Sequence, residues 1–101
     1  MQGVEMDIAR NVKVVDRLQA DLASSLANLY QAMVKGETEE ALTALVDLNV
    51  FSLLMTKRLG VSLGKLEVKT SEKVVSLLKE GHPAEEYGDL TALKAYIEMK
   101  R

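Results

Sequence analysis

Few residues of this 101-residue chain have the type and spacing to do chemistry. The most informative is Asp47. It stands among Leu45, Val46, Leu48, Val50 and Phe51, where an ionised carboxylate is costly unless a cation or a hydrogen-bond donor meets it. Two readings follow. Asp47 is either a satisfied polar contact, made with Thr43 one turn back or with a second subunit, or a ligand for a metal ion. The expectation is a buried, hydrogen-bonded carboxylate whose removal leaves donors unsatisfied. Glu40 lies two turns upstream on the same helical face, about 10 Å away along the axis, too far for the pair to grip one ion unaided. Glu85, Glu86 and Asp89 form a second acidic group. An E-x-x-D spacing on a helix puts two carboxylates on one face, as magnesium binding requires. Here Gly88 interrupts the spacing, and Asp89 reads more simply as a helix N-cap.

The remaining reactive types are sparse. The one histidine, His82, lies between Gly81 and Pro83 in a turn, which suits a loop role better than proton transfer. There is no cysteine, which excludes disulfides, thiolate zinc sites and cysteine nucleophiles. Ser24 and Ser25 have no nearby histidine base, and no glycine-rich phosphate loop is present. Met33 and Met55 fit core spacing rather than a cofactor role. No residue is therefore assigned as catalytic or cofactor-binding, and no cofactor is expected. Thirteen basic and fifteen acidic side chains leave a net charge of −2, which argues against nucleic acid as a partner. The acidic excess lies in residues 1–50 and the basic excess in residues 51–101, a mild shift that reads as solvated helix faces. The longest apolar-rich stretch, 41–55, holds Asp47 and Asn49 and is too short for a bilayer. Glu5 and Asp7 stand where a signal peptide needs positive charge. The expectation is a cytoplasmic protein with no membrane partner.

The elements that carry these residues read as helices. A single proline, Pro83, serves the whole chain, and helices dislike proline. Ile8, Val12, Val15, Gln19, Leu22, Leu26, Leu29 and Met33 step by alternating fours and threes, a heptad seam with one polar member, Gln19. This predicts one long helix from about Asp7 to Lys35, closed by Gly36. A second helix starts at Thr38 as N-cap, carries Glu39 and Glu40 at its positive end, and ends with Lys57, Arg58 and Gly60. It is apolar nearly all round, so it is expected to be central. Ser62 caps a third helix running to about Glu80, with Leu66, Thr70, Val74, Leu77 and Leu78 inside. A fourth runs from about Leu90 to Met99, with Leu90, Leu93, Tyr96 and Ile97 on one side. The fold class is all-α: a four-helix bundle forming a single domain over residues 1–101. The long first helix and the all-apolar second helix predict that a homo-oligomer completes the core.

Three segments carry a family resemblance: Asn28 to Gly36, Glu39 to Asp47, and Lys57-Arg-Leu-Gly-Val61. Together they resemble the MazG family of all-α nucleoside triphosphate pyrophosphohydrolases. That family shows an E-E-x-x-E helix, a short linker, an E-x-x-D helix and an apolar stretch closing with R-R-L-G-I. The opening from Asp7 to Val15 and the stretch Glu86-Tyr-Gly-Asp-Leu90 are similar to a small MazG-like subfamily. Counting back from Arg58, the resemblance puts the motif aspartate on Asp47, its glutamate on Ala44 and its glycine on Val46. The first-helix glutamates fall on Ser24, Ser25 and Asn28. One of five acidic positions survives, whereas the family's chemistry needs carboxylates to hold magnesium. Glu86 to Leu90 imitates the aspartate motif but follows the third helix, out of order.

The resemblance thus implies the all-α pyrophosphohydrolase scaffold with a degenerate metal site, Asp47 being its vestigial ligand. The implied function is a non-catalytic binding or assembly module. The implied partners are itself, as a homodimer or a dimer of dimers, and a nucleotide ligand in the old cleft. The alternative is a magnesium-dependent pyrophosphohydrolase with relocated ligands drawn from Asp21, Glu40, Asp47, Glu85, Glu86 and Asp89.

Overall fold

A computed structural model of the chain describes the backbone of residues 2–100 and the side chains of residues 8–100. Four α-helices follow in order: α1 (Gln2–Lys35), α2 (Thr38–Arg58), α3 (Leu63–Glu80) and α4 (Asp89–Lys100), with a 3₁₀ turn at Pro83–Glu85. No strand occurs among the described residues, so the all-α class stands. No helix among the described residues is long and apolar enough to cross a membrane. Two compact units divide the chain, Met1–Val61 and Ser62–Arg101. Each is a helical hairpin.

In the first unit, α1 turns into α2 through Gly36 and Glu37. Gly36 has φ +69, a left-handed conformation that suits glycine. The Glu37 N–H then reaches back to the Ala32 carbonyl at 2.9 Å, closing α1. So short a link puts Glu37, not Thr38, at the N-cap of α2, and no side chain caps that end. Thr38 is the first helical residue, one place later than its expected role. At the far end of α2, the Arg58 Nη1 lies 3.5 Å from Asn11 Oδ1. The two helices therefore run antiparallel, and the start of α1 extends past the end of α2.

The buried row of α1 is Asn11, Val15, Leu18, Leu22, Ser25, Leu29 and Ala32, again in alternating fours and threes. It faces a matching row on α2, Ala41, Ala44, Leu48, Phe51 and Met55, which the N-cap Glu37 continues. The expected seam is corrected here. Val15, Leu22 and Leu29 do turn inward, but Val12, Gln19, Leu26 and Met33 lie one position round the helix and are exposed. Ser25, Ala32 and Ala44 take the inner places because small side chains let two helix backbones come close.

In the second unit, Ser62 caps α3 as expected, its Oγ accepting the Lys65 N–H at 3.1 Å. Val74, Leu90 and Ile97 form the buried cluster, with Leu77 and Leu78 packed against it. Thr70 was expected inside; it is exposed and donates its hydroxyl to the Leu66 carbonyl. Leu93 and Tyr96 of α4 are likewise exposed, because only the seven-residue step from Leu90 to Ile97 follows the face turned to α3. The Ile97 side carries the packing and Tyr96 lies under the Lys100 ammonium instead.

The cap of α4 differs from its sequence reading. Asp89 is the first helical residue rather than the N-cap. Glu85 reaches forward from the 3₁₀ turn, accepts the Thr91 N–H at 3.0 Å and also accepts the Thr91 hydroxyl. These bonds, the hydroxyl's above all, hold the Glu85 carboxyl below its usual range. A carboxyl whose folded value is lowered contributes stability above its ordinary value and loses it as pH falls through the lowered one. Acid should therefore fray α4, and Glu85→Gln should remove that part of the pH dependence. Helicity and melting of wild type and Glu85→Gln across the acid range check this; parallel curves would mean the clasp carries no stability.

Candidate functional site

The positions that the resemblance assigns to the metal motif, Ser24, Ser25, Asn28, Ala44 and Asp47, fall in the α1–α2 hairpin. Leu18 and Leu54 line one small cavity, of about 130 Å³. Ala32 and Glu40 line another, so residues equidistant from the Gly36 turn stand level. On this register Ser25 and Ala44 face each other's helix inside the seam, 3% and 2% exposed. Asp21, Asn28 and Lys35 of α1 and Glu40, Asp47 and Leu54 of α2 recur every seven residues on one flank of the hairpin. The hairpin therefore gathers Asp21, Asn28, Glu40 and Asp47 on one side. Glu85, Glu86 and Asp89 belong to the second unit.

Asp47 is half-buried and, among the described residues, makes no hydrogen bond or ion pair. The expected contact with Thr43 is absent because the Thr43 hydroxyl donates to the Glu39 carbonyl at 3.1 Å, the backbone one turn back. Asp47 faces the flank of the hairpin and stays partly open to water. This reverses the expected outcome of its removal. Asp47→Leu should leave stability unchanged or raise it, by no more than about 1 kcal/mol, since a partly desolvated charge disappears and no bond is lost. A denaturant melt with the mutant clearly less stable would restore the hydrogen-bonded reading. Asp21 is already engaged, accepting from Arg17 Nε at 3.0 Å.

Toward the closed end of the hairpin the same flank opens into a cleft of about 310 Å³ lined by Asn28, Gln31, Lys35, Glu37, Glu40 and Thr43. Lys35, Gln31 and Glu37 had no place in the sequence reading. The signal for Lys35 was its seven-residue spacing from Asn28. The cleft offers amide and ammonium donors beside two carboxylates, a set that suits hydrogen bonding to a polar ligand. Among the described residues, no three Asp, Glu, His or Cys side chains converge as a metal site needs. His82 is structural, its Nδ1 accepting the Ala84 N–H at 3.0 Å to start the 3₁₀ turn.

The model of one family, the MazG-like family, matches residues 8–90 of the chain. No curated protein and no solved structure matches it.

Proposed function

Because the chain belongs to the MazG-like family, we propose that it keeps the family's helical scaffold as a non-catalytic binding or assembly module. Asp47 is the vestige of the metal site, and the chain works as a homo-oligomer. The observation that carries this reading is what stands at the remaining motif positions. Ala44 has no oxygen to offer and is packed into the seam with Ser25. Ser24 and Asn28 are neutral. This donor set does not fit magnesium, which asks for carboxylates around a nearly octahedral ion. Two of the candidates for relocated ligands, Asp21 and Glu85, already have partners in Arg17 and Thr91. The polar cleft beside Asn28 and Glu40 is the place for a nucleotide or another hydrogen-bonding ligand.

The test is pyrophosphate release from the common nucleoside triphosphates with magnesium or manganese. Release at background is the expected result. Turnover that vanishes in Asp47→Asn would overturn this reading in favour of the pyrophosphohydrolase.

A further inference from the structure

The row displaced from the expected seam has a pattern of its own. Val12, Gln19, Leu26 and Met33 form a straight line along α1 on the flank opposite the cleft. Val12, Leu26 and Met33 are 52%, 49% and 69% exposed. Leu59, Ser52 and Leu45 of the α2 side stand within one residue of level with Val12, Gln19 and Leu26, by the register set at the Gly36 turn. Leu45 and Leu59 are exposed as well. The flank is thus two apolar patches on either side of one polar layer, Gln19 with Ser52. Each patch lies seven residues from that layer along α1, about 10 Å at ~1.5 Å per residue.

Such a surface is complementary to itself. Turned over about an axis through Gln19, it lays Val12 of each copy on Leu26 of its mate and the polar layer on itself, with Met33 beyond this core, level with Glu5 of the mate. Gln19 is also the midpoint of α1, which spans Gln2–Lys35. Antiparallel pairing about Gln19 therefore overlaps the two α1 helices along their full length. It includes the early turns that extend past the end of α2, which pairing of α1 with a second copy's α2 would leave uncovered. Val12, Leu26, Met33, Leu45 and Leu59 are all about half or more exposed, large apolar side chains of the kind that a standard interface of ~800 Å² per partner buries.

We infer that a second copy of this chain covers this flank, its α1 antiparallel to the first and centred on Gln19, with Val12 of each copy against Leu26 of the other. Gln19 fixes the register: a lone polar layer in an apolar seam is satisfied only by its own counterpart, at some cost in stability. This rests on the self-association proposed above and adds the surface, the direction and the residue that sets them.

The chain has no cysteine, so single introduced thiols report contacts without background. Light scattering of the unmodified chain tests self-association alone; about twice the 11.1 kDa chain mass is expected, and a monomer would overturn both proposals. Oxidation then reads the register, because cysteines with Cα atoms more than ~7 Å apart do not bridge. Gln19→Cys should cross-link to itself. Val12→Cys and Leu26→Cys should cross-link when mixed and not when separate. Asn28→Cys, exposed on the opposite flank, should stay unlinked. Val12→Cys linking to itself would mean a parallel pair or one centred away from Gln19, and Val12→Cys linking to Leu59→Cys would mean α1 against α2. Either result, in a chain of dimer mass, overturns this register while leaving self-association intact. Gln19→Leu should keep the dimer mass while Val12→Cys begins to link to itself. Unchanged cross-linking in Gln19→Leu would deny Gln19 its role.

Discussion

Ala44→Glu should destabilise the α1–α2 hairpin by roughly 3–5 kcal/mol, the scale of an uncompensated buried charge. The substitution restores the residue type that the resemblance implies for this position, so the loss carries information beyond packing. Ala44 is one of the least exposed residues of the chain, in the row that meets Ser25 and its neighbours. A glutamate there must either thrust its carboxylate into a seam of small and apolar side chains or push the helices apart. Among the described residues, Arg58 is at the far end of α2, beside Asn11, and Arg17 is paired with Asp21, so neither arginine compensates it. Urea melts with and without magnesium measure the effect. A tolerated glutamate, stabilised further by magnesium, would mean the seam still opens into a working metal site.

Ile97→Ala should cost about 2–5 kcal/mol, the usual range for truncating a buried isoleucine, and should loosen α4 first. The second unit rests on three buried apolar side chains, Val74, Leu90 and Ile97, with Leu77 and Leu78 at their edge. Truncating one of the three removes a large share of what holds α4 to α3, and α4 is only 12 residues long, too short to persist as a helix in water without packing. Hydrogen exchange is the direct measurement: amides of α4 should lose protection before those of α1 and α2. Equal loss throughout the chain would show that the two units unfold as one.

The helices were legible because their punctuation is chemical. Gly36, Gly60 and Gly81 end helices where expected, and Ser62 begins one. The partition of α1's apolar residues was not legible. A stripe recurring every three or four residues looks the same whether it meets one neighbour or two, and Val15 and Val12 differ in fate by a small rotation. The least exposed positions of the hairpin are also Ser25, Ala32 and Ala44, residues that no hydrophobic pattern marks. At the candidate site, the order and spacing of motifs placed Asp47 with Ser24, Ser25, Asn28 and Ala44 in one hairpin. Spacing could not foresee that Thr43 would bond its own backbone, leaving Asp47 to the solvent-facing flank. Nor could it show that Glu85 would cap α4 from six residues away, because that reach depends on the 3₁₀ turn between them.

The two-residue link between α1 and α2 also governs how the chain reaches its fold. With Gly36 and Glu37 as the whole connection, the first interhelical contacts close a loop of minimal length, and loop-closure entropy grows only slowly as more distant pairs join. The hairpin can zip outward from the turn, a route rich in local contacts and therefore fast. Its barrier belongs to the pairs beside the turn, such as Ala32 with the first turns of α2. Pairs near the open end, such as Leu18 with Leu54, form afterwards. Mutations beside the turn should slow refolding, whereas those at the open end should chiefly quicken unfolding. How long the native hairpin lasts is thus decided at the opposite end from where it begins to form.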